Sequence, residues 1–503
     1  MPVAGGRMLG IAVAGASACS MALEIAAGRM IAPYVGMSLY SWTAVIAVVL
    51  AGLTLGHWIG GRLADAPGDA PRRMLGVALA LAAVFSIATI PLLRAISGAA
   101  VTGGGPVWGA VVIAALVFGL PSLFAGTVAP LATFLALRGA GEGGEGRVLG
   151  RMFALGAGGA ILGTLGGGLL LIPLLGSFLT VAVIAGFYAL LAVPFFLRSR
   201  AARTLAIGGV AVLSAVAGWS AQALSPCERE SGTFCLRADD LPDDTRVLAL
   251  DHLAHGVNDP DDPTRLVSPY LALIDRIAEA RFGVEGPPEA FFLGGGAYTL
   301  PRAWAAKGWG GARVIAEVDP MVTRLAVDRL WVLPENHDIR HGDGRIVLSS
   351  LPSDRRFDAI VADAFADVSV PPHLVTDEFH ADIAAHLTPG GFYAINVVDR
   401  LREPRFATSL AHTLARRFAH VEMWLDAATV RPGEARTTWV IVASDSETGS
   451  DRLRASDGTG RDWVRVPTGR MIDAVGAPML LTDDHAPVAR LLGALLLDGA
   501  LSE

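Results

Sequence analysis

From Ala95 to Leu137, and again from Met152 to Leu197, the chain carries no Asp, Glu, Lys or Arg. An uncharged apolar run of about 20 residues is long enough to cross the hydrocarbon core of a bilayer as a helix. Runs twice that length must cross twice, fold back, or overhang the interface. The shortage of charge belongs to one part of the chain. Overall 17% of the 503 residues are charged, against roughly 25% in ordinary soluble chains. Residues 1–226 hold 12 Arg and 5 acidic residues, and residues 227–503 hold 28 basic and 42 acidic residues. A cationic, apolar first part and an acidic second part long enough for its own core divide the chain at about residue 226.

Seven spans are expected, at 8–28, 39–60, 74–94, 107–137, 150–174, 177–197 and 204–224. Arg7 ahead of an apolar run has the look of a signal peptide, but the spans that follow make the first a retained helix. The fourth is too long for one straight crossing. It contains Pro121 and Pro130 with Gly119 and Gly126 between them, so a broken or re-entrant segment is expected there. Gly and Ala recur throughout, which suits close approach of membrane helices.

The loops set an orientation. Arg62, Arg72, Arg73, Arg138, Arg147, Arg151, Arg198, Arg200 and Arg203 fall on one side of a seven-span arrangement, and Arg29 and Arg94 on the other. Positively charged loops stay in the cytoplasm, which places the second part of the chain outside. Cys227 and Cys235, just past the last span, would pair in an oxidising compartment. Cys19, inside the first span, is core. Glu24 and His57 are ionisable residues within spans, where such groups are costly and often functional; an interfacial or neighbour-bonded role remains the alternative.

Beyond residue 226 a small β unit is expected over 227–265. A helix follows at about 268–282, started by Ser268 and Pro269. Strands at 289–295, 312–319, 337–343, 357–365, 390–398, 420–426 and 437–444 then alternate with helices at 299–308, 320–330, 374–387 and 403–418. The fold class is therefore a multi-pass helical membrane domain followed by an α/β Rossmann-like domain over 266–503, with a mainly parallel sheet covered by helices. Ligands bind such sheets beyond the C-terminal ends of the strands, and four successive strand ends carry Gly or acid: Gly294-Gly295-Gly296, Glu317, Asp343 in HGDG, and Asp363-Ala-Phe-Ala-Asp367. The net acidity of this part argues against nucleic acid and suits a cationic substrate, although solubility alone would also account for it. Asp259 to Asp262, in NDPDDPT, read as a polar turn, and no metal site is expected.

At these residues the second part resembles the spermidine synthase family, the aminopropyltransferases. FFLGGGAYTLPRAW is similar to its glycine loop, IAEVDP to its acidic strand end, HGDG to its adenine-side Asp, and FDAIVADAF with HLVTDEFHADIAAHLTPGGFYAINV to its catalytic region. The likeness covers roughly 245–445, and the whole chain resembles bacterial proteins that fuse a membrane domain to such a module. It implies a co-substrate that is S-adenosylmethionine or its decarboxylated form. Gly294, Gly295, Gly296, Glu317, Asp319 and Asp343 would hold this ligand, with Glu317 on the ribose and Asp343 facing the adenine. Asp363 would be the general base that frees an amine to attack the carbon next to sulfur. Asp367, Tyr270, Asp483 and Asp484 would hold a small cationic amine acceptor. A homodimer would also fit. Two departures stand out. Ala297 occupies the place of an Asp that grips the aminopropyl amine, and Asp367-Val-Ser-Val-Pro-Pro372 replaces the family's gate. A methyltransferase on the same scaffold, or a transporter or receptor that binds polyamine or nucleoside without chemistry, are the alternatives. Sulfonium nucleosides are made in the cytosol, in tension with an outside domain; splitting the fourth span would restore a cytosolic one but move the later arginines outside.

Overall fold

The computed structural model describes residues 3–102, 105–140, 143–196, 200–309, 311–365, 367–429 and 436–493. The chain divides into two compact units, Met1–Cys235 and Leu236–Glu503.

The first unit is built from seven helices: α1 (Val3–Val35), α2 (Leu39–Ala64), α3 (Ala70–Thr102), α4 (Gly105–Arg138), α5 (Glu145–Gly166), α6 (Ile172–Phe196) and α7 (Arg200–Leu224). Ser38 starts α2 with a capping box, its hydroxyl accepting the N–H of Ser41, which satisfies a donor that the first turn leaves open. Small residues then set the packing. A Cβ on Gly56 of α2 would lie 2.1 Å from the carbonyl oxygen of Leu123 on α4, and one on Gly163 of α5 would lie 2.0 Å from that of Ala18 on α1. These helices touch backbone to backbone. The fourth span, expected to be broken, is a single helix with Pro121 and Pro130 inside it. Packing of α2 and α3 along α4 covers the main chain that the prolines leave unpaired.

The longest uncharged run behaves differently. A π-turn at Gly167–Leu171 joins α5 to α6, and Gly176, at φ 78 and ψ 167, breaks α6. The break reverses the chain. Gly159 and Gly163 meet Ala14 and Ala18, so α5 runs with α1; Gly15 meets Leu191 while Cys19 approaches the carbonyl of Ile184, so α6 runs against it. Only a residue without a Cβ takes such a backbone conformation freely. Among the described residues, five helical stretches are long and apolar enough to cross a membrane: Gly6–Val35, Leu39–Ala64, Ala70–Gly98, Val107–Arg138 and Glu145–Phe196, the last containing the reversal. The helix α7 is not among them.

Beyond α7, Cys227 and Cys235 form a disulfide around a short strand, β1 (Arg229–Glu230). The loop so closed is fastened to the helices. The Glu230 carboxylate accepts the main-chain N–H of Ser177 at 3.0 Å, the first residue past the reversal. Arg29, near the end of α1, donates to the carbonyls of Ser231 and Thr233. Burial pushes the Glu230 carboxyl above its ordinary range, opposed by the Ser177 hydrogen bonds and the Arg29 charge.

The second unit opens with an antiparallel meander of β2 (Cys235–Asp240), β3 (Arg246–Leu250) and β4 (Leu253–Asn258). Asp251, in the tight turn between β3 and β4, has φ 52. The helix α8 (Pro269–Phe282) follows, with Ser268 before it and Pro269 at its first turn, as expected. Next come β5 (Ala290–Leu293), α9 (Thr299–Ala306), β6 (Arg313–Glu317), α10 (Pro320–Arg329), β7 (Asp338–His341), α11 (Gly344–Ser349), β8 (Phe357–Ala362), α12 (Asp377–Ala385), β9 (Leu387–Arg400), α13 (Arg405–Leu414), β10 (His420–Asp426) and β11 (Arg436–Ser444). The chain closes with β12 (Arg452–Arg454), β13 (Asp462–Val466), α14 (Thr468–Val475) and α15 (Val488–Leu491).

The sheet order is β12-β13-β10-β11-β9-β8-β5-β6-β7. Strands β7, β6, β5, β8 and β9 pair in parallel, whereas β9, β11, β10, β13 and β12 pair antiparallel. The expectation of a mainly parallel sheet thus holds for one half. The other half is antiparallel because β10 leads directly into β11 without a crossover helix, and because the charged β12–β13 hairpin, not anticipated, extends it. The central strands are apolar and buried on both faces, as AFFL and FDAIVA indicate.

Candidate active site

The centre of the parallel half is where β5 and β8 end side by side. The Asp363 N–H bonds the carbonyl of Leu293 at 2.9 Å. Gly294 then turns away at φ 97, where a Cβ would lie 2.4 Å from the Asp363 carbonyl oxygen. Any side chain at this position would push the two strand ends apart, so the first glycine of the triplet is required by close approach.

Asp363 is half-buried and held by two donors. The Tyr270 hydroxyl, from α8, donates to one carboxylate oxygen at 2.8 Å, and the Asn396 amide, from β9, donates to the other at 2.9 Å. Burial raises the Asp363 carboxyl above its usual range, and the Asn396 and Tyr270 donors oppose that rise. The Tyr270 phenol is itself pushed well up by burial, with the Asp363 charge adding to the effect. Asn396 was not singled out from the sequence, although a buried amide in the apolar run FYAINVV is the kind of residue that needs a partner.

Glu317, at the end of β6, faces the glycine loop. One carboxylate oxygen accepts the N–H groups of Gly295 and Gly296 at 2.9 and 3.2 Å, and the other accepts the Asp319 N–H at 2.9 Å. Burial raises this carboxyl, and the three main-chain donors offset part of the shift. Asp319 caps α10, accepting the Met321 N–H at 2.9 Å. Asp343 caps α11 through the N–H groups of Arg345 and Ile346 and reaches the His373 ring at 2.7 Å. Glycine loop, Glu317 and Asp343 therefore follow along the ends of β5, β6 and β7, with Asp363 on the other flank of β5.

Asp367 lies in a second cluster. It sits at φ 61, a conformation costly for a residue with a side chain, with His252 at 3.5 Å. Burial first, and then the Asp251 charge, push its carboxyl up to about 7, against the opposing Arg436 charge. Asp483 has other partners. Arg345 holds it in a two-point ion pair at 2.7 and 2.8 Å, which lowers its carboxyl to about 2. Asp483 is thereby grouped with α11 and Asp343, at the opposite end of the row from Tyr270. Asp484 is exposed in the turn between Thr482 and His485.

A cleft runs beside the glycine loop, lined by His255, Leu271, Gly294, Gly295, Ala297 and Asp363 among others. His255, another residue the sequence did not mark, has its ring pushed down to about 4 by burial and then by His252, so it is a neutral donor–acceptor there. Ala297 is buried, and a Cβ on Gly256 would lie 2.7 Å from its own Cβ, which leaves little space for a longer side chain. A second cleft opens on the other side of Tyr270, against Leu273, Leu425, Asp426, Thr438 and Trp463. The Asp259 to Asp262 stretch is a turn closed on itself, with Asp259 accepting the N–H groups of Asp261 and Asp262.

Asp363, a carboxylate with a raised affinity for a proton, borders the cleft beside the glycine loop, and Glu317 holds that loop from its other side.

No family model matches the chain. Over 140 residues it is 28% identical to a polyamine aminopropyltransferase of Vibrio vulnificus, a stretch that is 27% of this chain and 46% of that protein. The chain thus spans about half the length of this curated relative. Among solved structures, a probable spermidine synthase from Corynebacterium glutamicum is matched over 51% of this chain and 94% of that one, at 22% identity and a TM-score of 0.42. Human methyltransferase-like protein 13 in complex with SAH is matched over 45% and 90%, at 17% identity and a TM-score of 0.29. The chain is distantly similar to a polyamine aminopropyltransferase.

Proposed function

We propose that the second unit is a transferase acting on a sulfonium nucleoside, and that it moves an aminopropyl group to an amine. The observation that carries this reading is Asp363, half-buried, held by Tyr270 and Asn396, and packed against the first glycine of the loop. In the proposed step Asp363 takes a proton from the acceptor ammonium. The freed nitrogen lone pair attacks the carbon next to sulfur, the C–S bond breaks, and its electron pair stays on sulfur as a neutral thioether. The leaving group is already activated by its positive charge, so placement, exclusion of water and one proton acceptor are what the protein must supply. Glu317 and Asp343 would receive the ribose and the adenine. Glu317 now accepts the loop N–H groups, so ribose binding would compete with those bonds or share the carboxylate. Asp367 would attract the cationic acceptor. Asp363→Asn should abolish turnover while leaving nucleoside binding intact; retained turnover would remove the reading.

Methyl transfer on the same scaffold is favoured by one observation. Ala297 is buried against Gly256 and offers no carboxylate to an aminopropyl ammonium. Calorimetry with S-adenosylmethionine and with its decarboxylated form separates the two reactions. A binder without chemistry would tolerate Asp363→Asn in every assay.

We further propose that the first unit is embedded in a membrane. Among the described residues, 28 large apolar side chains are exposed on residues 1–226 and four on the remainder, a surface suited to lipid and costly in water. The starts of α1, α3 and α5 share one end with Arg62, Arg72, Arg138 and Arg151. The disulfide loop meets Arg29 and Ser177 at the other end, which favours an exit on the side away from the cytoplasm. A nucleoside made in the cytosol would then have to be delivered. Labelling of Cys227 and Cys235 by an impermeant thiol reagent on intact cells, only after reduction, is the expected result; labelling only in lysed cells would reverse the orientation.

A further inference from the structure

At the arginine-bearing end of the helical unit, the first turns of α1, α3 and α5 and the last turns of α4 and α6 surround a cavity of about 390 Å³. Its lining is two-sided. Asp69, Arg72 and Arg151 are exposed, whereas Leu9, Met152 and Phe195 are buried. Among the described residues Arg151 makes no hydrogen bond or ion pair. Arg72 has a long contact, 3.4 Å, with the carbonyl of Pro194. Two guanidinium groups against one carboxylate leave the cavity cationic. The N-termini of α3 and α5, helices of 33 and 22 residues, add the positive ends of their dipoles.

A wholly polar anion would waste the apolar lining, and a wholly apolar ligand would leave the arginines unmatched. The chemistry that satisfies both is a phosphate ester carrying a hydrocarbon part. Guanidinium presents a planar fork suited to phosphate oxygens, and the volume is that of an ordinary small-molecule site. We propose that this cavity binds the phosphodiester headgroup of an anionic phospholipid. The inference rests on the reading of the helical unit as membrane-embedded.

The test is native mass spectrometry of the full chain in detergent, with phosphatidylglycerol, phosphatidylcholine and inorganic phosphate as separate additions. One phosphatidylglycerol per chain should be retained in preference to phosphatidylcholine. Near a membrane each basic side chain strengthens anionic-lipid binding about fivefold. Arg151→Gln should therefore weaken retention about fivefold and Arg72→Gln with Arg151→Gln about 25-fold, while Arg151→Lys keeps most of it. Arg147→Gln, on the same end but outside the lining, should change little, which separates a site from diffuse attraction. Equal retention of phosphatidylcholine, an equal loss in Arg147→Gln, or displacement of the lipid by an equal concentration of inorganic phosphate would each overturn the proposal. A chain that sediments with membranes yet shows no lipid preference sinks this inference alone. A chain absent from membranes sinks the membrane reading first.

Discussion

The Tyr270 hydroxyl donates to the Asp363 carboxylate across 2.8 Å, joining α8 to the end of β8 at a point where both residues are half-buried. Burial disfavours the ionised form of each partner, so a negative charge on Asp363 depends on the two donors that hold it.

The first concerns Asp363 itself. Asp363→Asn should lower kcat by about 10²- to 10⁴-fold, the usual range for a lost general base, with a much smaller effect on nucleoside affinity. In the native protein the acid limb of the kcat/KM profile should lie above the ordinary carboxylate range, because burial raises this group. Tyr270→Phe removes a donor that favours the charged form, so the limb should move to still higher pH. A profile unchanged by Tyr270→Phe would mean that another group titrates.

The second concerns Asp367. Its folded-state pKa of about 7 exceeds the ordinary aspartate value of about 3.9. A raised acid of this kind binds its proton more tightly in the folded state. Its contribution to stability is therefore present below the unfolded pKa and lost as pH rises through about 7. Asp367→Asn should raise stability at pH 8 by an amount on the order of a few kcal/mol, read as a higher melting temperature, and change it little at pH 4. The groups that face it are Asp251, His252 and Arg436. The same substitution should raise KM for a cationic acceptor.

The third tests the backbone contacts between helices. Gly163→Ala would bring a methyl group to 2.0 Å from the Ala18 carbonyl, and overpacking of this kind typically costs about 1–3 kcal/mol. Gly158→Ala, on the same helix with nothing within 4 Å, should be neutral. Melting of the detergent-solubilised chain, followed by size-exclusion profile, distinguishes the two.

The fourth addresses the loop closed by Cys227 and Cys235. Cys227→Ser with Cys235→Ser should destabilise the helical unit by about 2–3 kcal/mol from loop closure. Glu230→Ala removes the acceptor of the Ser177 N–H and should cost about 1–3 kcal/mol. If the loop acts by holding Glu230 in place, the triple variant should lose less than the sum of the two effects.

Much of the second unit was legible because its strands are short apolar runs ended by Gly or acid. The observed β5, β6, β8, β10 and β11 fall within or against the expected ranges. The β12–β13 hairpin was not, since RLR and DWVRV are short, charged runs that bury only Leu453 and Trp463 well. The helix α11 was missed because six residues after Asp343 show no periodicity, and its start is set by the cap itself. Asp363, Tyr270 and the glycine loop were marked in the sequence and come together. Asn396, within the strand expected at 390–398, was not marked, and neither was His255, within the small β unit. Asp483 was marked as an acceptor group, but its ion pair with Arg345 depends on a contact 138 residues apart, which no local pattern carries. The fourth span looked broken because proline was weighed without the neighbours that cover it.

The reversal at Gly176 has a topological consequence. A single left-handed glycine decides whether the run from Glu145 to Phe196 counts as one traverse or two, and so fixes the parity of the bundle. Every later helix of the unit inherits its direction from that turn. A bulky residue there would do more than strain a turn: by straightening the hairpin it would take α5 and α6 off opposite directions along α1 and undo the contacts both make with it.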